Sequence, residues 1–170
     1  MEPNHLAELI EQSIELELNM AALYGLFAEA VDEDRVFWWR LQREEKSHAT
    51  LIRAARDSFV KRGKFPYDLI ANSIDDLKKS NARIAELIVV FRNQAPSRCE
   101  ACRTAVELEQ AAGEMHYTRF MEKEAQTTVE SVFQQLNRGD KEHERRIRAH
   151  CEMVENLTDA EKSTLENVEL

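Results

Sequence analysis

With 170 residues, 43% of them hydrophobic and 32% charged, this chain can bury a full-size single core, while no apolar run approaches the ~20 residues that span a bilayer. Its formal charge of −9 argues against nucleic acid or an anionic membrane surface as a partner, since both need a basic patch. Three cysteines, an odd number, and an acidic N-terminus (Glu2, Glu8, Glu11, Glu15, Glu17) without the cationic flank of a signal peptide point to a soluble cytoplasmic protein.

Four glycines and three prolines leave long stretches of Ala, Leu, Glu, Lys, Arg and Gln without breakers, which predicts an all-α fold. Between Asn4 and Val31 the apolar residues Leu6, Leu9, Ile10, Ile14, Leu18, Ala21, Ala22, Leu26 and Phe27 recur at helical period. Asp32, Glu33 and Asp34 form a short acidic break with N-cap chemistry. A second helix is predicted from about Arg35 to Lys61, and the short break requires the two to fold back antiparallel. Arg62-Gly63-Lys64-Phe65-Pro66 ends this hairpin. The stripe Ile74, Leu77, Ile84, Leu87, Ile88 and Phe91 within Tyr67–Gln94 predicts a long helical crossover that returns the chain to the starting end. After the stop at Pro96, Ser97 is a candidate N-cap for a third helix from about Arg98 to Lys123. Thr127 or Thr128 caps a fourth running to about Asn156, and a short terminal helix is expected beyond Leu157.

Two stretches about ninety residues apart share one pattern. Glu17 and Tyr24 precede Glu45-Lys46-Ser47-His48, while Glu109 and Tyr117 precede Asp140-Lys141-Glu142-His143. At an offset of 95, Leu41, Lys46, His48 and Ile52-Arg53-Ala54 fall on Leu136, Lys141, His143 and Ile147-Arg148-Ala149. On the partner helices Glu15-Leu16-Glu17 matches Glu107-Leu108-Glu109, and Phe27 matches Phe120. Glu17 to Tyr24 spans seven residues and Glu109 to Tyr117 eight, an insertion that a helix absorbs as a π-bulge. A carboxylate three residues before a histidine puts both side chains on one helical face. Two such pairs, with one glutamate from each of two further helices, form the ligand set of dinuclear metal bundles. The candidate ligands are therefore Glu17, Glu45, His48, Glu109, Asp140 and His143, with Glu114 a rival to Glu109. Mixed oxygen and imidazole donors suit iron, manganese or zinc better than calcium or magnesium. Four carboxylates would balance two divalent ions, whereas empty they would be costly to bury.

These segments resemble the ferritin-like superfamily, and within it the rubrerythrin-type proteins, over about residues 5–60 and 98–155. The resemblance implies one ferritin-like domain over 1–170, an antiparallel four-helix bundle of two hairpins (about 4–62 and 98–156) with a long crossover (about 63–97) and a short tail (157–170). It further implies two iron ions bridged by Glu45 and Asp140, with Glu17 and Glu109 each capping one ion, and His48 and His143 each adding a nitrogen. The implied activity is that of an oxidoreductase, reducing peroxide or using dioxygen to oxidise ferrous iron. The pattern departs from the family in three places. Asp140 replaces a glutamate and is one methylene shorter. Ala112 stands where rubrerythrins place an extra glutamate. No rubredoxin module is present, since Cys99-Glu100-Ala101-Cys102 offers a single Cys-x-x-Cys, so electrons must come from a separate donor such as a rubredoxin. The alternatives are an iron-binding or storage-related bundle with little turnover, and a metal-poor interaction module.

Tyr24 and Tyr117 are read as hydrogen-bonding a ligand carboxylate. His150, two turns after His143, is a candidate support for the site or a simple core or surface residue. Neither His5, His116 nor the Cys99–Cys102 pair is assigned a role. The adjacent Trp38 and Trp39 point about 100° apart; one fills the core and the other is a candidate homodimer contact. Arg145-Arg146-Ile147-Arg148 is read as a solvated face.

Overall fold

Where breakers are missing, the backbone stays helical. The computed structural model describes residues 3–112, 119–136 and 143–166, and every regular element among them is helical. Helix α1 spans Pro3–Ala30, α2 Arg35–Phe59, α3 Ile74–Asn93, α4 Arg98–Ala112, α5 Thr128–Leu136 and α6 His143–Glu166, with 3-10 turns at Asp32–Asp34, Val60–Arg62 and Tyr67–Leu69. Residues 119–122 are helical as well. No helix among the described residues is long and apolar enough to cross a membrane.

Local chemistry sets most of the ends. Gly63 closes the 3-10 turn that follows α2, in the left-handed region (φ 62°), where the Lys64 amide donates back to the Phe59 carbonyl at the end of α2 at 3.1 Å, the bonding of a glycine C-cap. Ser73 caps α3 by accepting from the Asp76 amide at 3.3 Å. Ser97 and Glu100 form a reciprocal box at the start of α4: the Glu100 amide donates to Ser97 Oγ at 3.2 Å and the Ser97 amide to Glu100 Oε2 at 3.3 Å. Thr127 and Glu130 repeat that box before α5 at 3.2 and 3.0 Å. Thr127, not Thr128, is thus the cap.

Four expectations change. Asp34 precedes α2 but makes no side-chain cap bond; it is buried and accepts from Arg98 Nε and Nη2, each at 2.7 Å. A charged bidentate partner outcompetes a backbone amide for that carboxylate. The crossover helix begins only at Ile74, because Tyr67–Leu69 forms a separate 3-10 turn that buries Leu69. Helix α6 runs on to Glu166 instead of breaking near Leu157, since neither glycine nor proline interrupts it. The fourth change concerns direction. Contacts of Glu11 with Arg56 (2.6 Å), Glu17 with His48 (3.3 Å) and Phe27 with Trp38 (5.2 Å between rings) make α2 antiparallel to α1. Helix α2 therefore already returns the chain to the starting end. Helix α3 then runs parallel to α1, from Lys78 beside Glu8 (2.6 Å) to Phe91 beside Phe27 (5.6 Å), and delivers the chain to the opposite end. The expected π-bulge between Glu109 and Tyr117, and the segment joining α5 to α6, fall partly or wholly outside the described residues.

From that end α4 descends, with Arg98 at Asp34 and Glu109 at Tyr24, and packs on α6. Helix α6 also faces α2, with His143 near Glu45, Arg146 at Glu44 and His150 stacked on Phe37 (3.8 Å between ring centres). The core stripe of α2 consists of Trp38, Leu41, Glu45, His48, Ile52 and Ala55, all buried. Two of its six positions are polar, and burying them is costly unless they meet partners. Around Trp38, Tyr24 and Phe27 complete an aromatic cluster, each ring contributing about 1.5–3 kcal/mol through burial. Trp39 is exposed, under the guanidinium of Arg43 at 4.9 Å.

Candidate metal centre

Seven residues make about two helical turns, so Glu17 and Tyr24 project from one face of α1. On α2 the three-residue spacing does the same for Glu45 and His48. Helix α6 presents His143 on the stripe His143, Ile147, Cys151 and Val154, and α4 presents Glu109 beside Leu108. Glu17, Glu45, His48, Glu109 and His143 are all buried, at 6, 1, 0, 7 and 0% exposure.

Glu45 is the hub. Its Oε2 lies 3.1 Å from Nδ1 of His48, and its Oε1 lies 3.1 Å from Nδ1 of His143. The same His48 nitrogen lies 3.3 Å from Glu17 Oε2, and the two imidazoles stack with centres 5.2 Å apart. Donors bound at about 2.1 Å to one ion, at right angles, would sit about 3 Å apart, so each of these pairs fits a shared ion. Glu45, His48 and His143 form a buried group able to hold a metal ion, with one ligand atom from each within 4.8 Å of the others. Tyr24 on α1 donates its hydroxyl to Glu109 Oε1 on α4.

The electrostatics follow from burial and neighbours. Burial pushes the Glu17 carboxyl up to about 8, against the opposing bond with His48. Burial also raises Glu45, but the imidazoles of His143 and His48 hold it well below the usual carboxylate range. His48 is destabilised as a cation by burial, yet Glu17 and Glu45 raise it well above the ordinary imidazole value. A positive charge here is strongly favoured, whether a proton or a metal ion supplies it.

Glu44 was not anticipated. Its Oε2 lies 2.7 Å from His143 Nε2, and Arg146 Nη1 donates to its Oε1 at 3.0 Å while Nη2 donates to Oε2. Despite burial, His143 and Arg146 hold its carboxyl down at about 2. A carboxylate on the far nitrogen of a ligand histidine fixes the tautomer, leaving Nδ1 free to ligate. Arg146, three residues after His143, is the sequence signal for this contact and departs from the solvated face expected of its run: Arg145 and Arg148 are exposed, whereas Arg146 is half-buried and engaged. His150 serves neither imidazole: its ring stacks on Phe37, and Nε2 lies 3.2 Å from Asp34 Oδ1. Asp140, Tyr117, Glu114 and His116 lie outside the described residues.

Taken together, these features define an all-helical protein with a buried carboxylate–imidazole group that can hold a metal. No family model, curated protein or solved structure matches the chain.

Proposed function

We propose that this chain is a rubrerythrin-type protein of the ferritin-like class, a four-helix bundle built from α1, α2, α4 and α6, holding two metal ions, iron first and manganese or zinc as alternatives. Its activity is the reduction of peroxide or the oxidation of ferrous iron. The observation that carries the reading is Glu45, whose two oxygens each lie 3.1 Å from a different imidazole nitrogen. A carboxylate flanked in this way would help to hold two ions, one together with His48 and one together with His143, and would supply negative charge to both. Glu17 joins the His48 position, 3.3 Å from that ring. Tyr24 orients Glu109 toward the interior, and Glu44 orients His143. Asp140 enters through the repeat alone, as the counterpart of Glu45.

A ferrous pair supplies two electrons together, which lets peroxide be cleaved without release of a radical. The residues' own work is to bind the ions, neutralise their charge and keep the site dry behind Leu41, Ile52 and Ile147. Electrons come from a separate donor protein.

Metal analysis of the chain purified from iron-replete cells tests the reading. About two ions per chain are expected, and Glu45→Ala should lose at least one. Rapid mixing of the ferrous form with peroxide should give fast stoichiometric oxidation; slow oxidation with full metal content would favour storage over turnover. A wild-type chain without bound metal, or a Glu45→Ala chain with unchanged content, overturns the proposal.

A further inference from the structure

The candidate metal centre leaves unused a second pair of reactive groups, at the α4–α6 interface. Cys102 on α4 and Cys151 on α6 are both free thiols and both buried, at 3 and 7% exposure. They come from helices that pack on one another and lie in the same core cluster with Ala101, Ala105 and Val154. Arg98, one turn before Cys102, and His150, next to Cys151, both reach the Asp34 carboxylate, at 2.7 and 3.2 Å, which sets the two cysteines at the same level of the interface. Cys99, by contrast, is only half-buried and sits on the same helix as Cys102.

We propose that Cys102 and Cys151 form a dithiol that hydrogen peroxide closes to an intramolecular disulfide, tying α4 to α6. The roles differ within the pair. The neighbouring Cys151 sulfur lowers the Cys102 thiol against the opposing effects of burial and Asp34, while Cys102 and burial push Cys151 up. Cys102 is therefore the attacking sulfur and Cys151 the resolving one. The Cys102 thiolate attacks one peroxide oxygen and the O–O bond breaks. The departing hydroxide takes a proton and leaves as water, so sulfur becomes a sulfenic acid, oxidised by two electrons. Cys151 sulfur then attacks Cys102 sulfur and the S–O bond breaks. The hydroxide leaves as a second water with the Cys151 proton, and the S–S bond forms. Two thiols and one peroxide thus give one disulfide and two waters. The bridge would fix the relative placement of the helices that carry Glu109 and His143, yet its formation does not depend on the metal reading.

The test is peroxide treatment of the whole chain, followed by quenching, denaturation, alkylation and mass analysis. One alkylatable thiol, Cys99, should remain of the three, and non-reduced digests should contain a Cys102–Cys151 cross-link that dithiothreitol removes. Cys99→Ser should behave identically, as should Glu45→Ala. Cys151→Ser should instead leave a Cys102 sulfenic acid that dimedone traps. Three free thiols after treatment, a Cys99–Cys102 bridge, or only cross-links between chains would each overturn the proposal. Should Cys151→Ser lose its helical circular dichroism, the Cys99→Ser chain still decides the matter.

Discussion

Replacing Glu44 probes the centre through a residue outside the six candidate ligands. Its carboxylate contacts His143 Nε2 at 2.7 Å and is gripped on both oxygens by Arg146. With a metal bound, Glu44 would keep the proton of His143 on Nε2 and leave Nδ1, 3.1 Å from Glu45 Oε1, to ligate. Loss of such an outer carboxylate costs about 10–100-fold in metal affinity, or about 1.4–2.7 kcal/mol. Glu44→Gln keeps an acceptor of the same length and should fall at the low end, near tenfold. Glu44→Ala also removes both bonds that Arg146 makes to this carboxylate, so it should reach the high end and destabilise the metal-free fold by about 1–2 kcal/mol, a value reduced because Arg146 is one-third exposed. The assay is titration of metal-free protein with cobalt or ferrous ion against a competing chelator. The loss should concentrate on the position served by His143 and largely spare that served by His48. Affinities within about twofold of wild type in both variants, or equal losses at both positions, would refute the tautomer argument.

Two further outcomes concern stability. In the metal-free chain Glu17 is raised to about 8 and His48 is raised as well, so between the unfolded values of ~4.3 and ~6.5 and these folded ones the native state binds more protons. Stability should therefore fall as pH rises toward about 8. Glu44 and Glu45 are lowered, so their contributions are present above ~4.3 and fade in acid. Urea midpoints against pH should peak in the mildly acidic range, and metal loading should abolish the decline above it; a steady rise from pH 6 to 8 in the metal-free chain would contradict this. Asp34→Ala should cost about 2–3 kcal/mol, less than a fully buried pair because Arg98 is 28% exposed. Since Asp34 is lowered, this contribution should disappear as pH falls below ~3.9. A double-mutant cycle with Arg98→Ala checks it: additive effects would mean the pair is not coupled.

The helices and the candidate donors were legible because they are local matters. Apolar residues at helical period mark α1, α2 and α3, and Ser97 and Thr127 mark two helix starts through chemistry confined to four residues. The spacing of Glu45 and His48, like that of Glu17 and Tyr24, fixes a common face whatever lies opposite. What lies opposite is another matter. Glu44 stands about 100° around α2 from Glu45, a direction that reads as solvent until α6 fills it with His143 and Arg146. Asp34 reads as a cap until Arg98, sixty-four residues later, claims its carboxylate. Cys102 belongs by sequence with Cys99 and by packing with Cys151. In each instance backbone geometry sets where a side chain starts, while its partner is set by the azimuth at which a distant helix docks, and that depends on how all the buried faces fit at once.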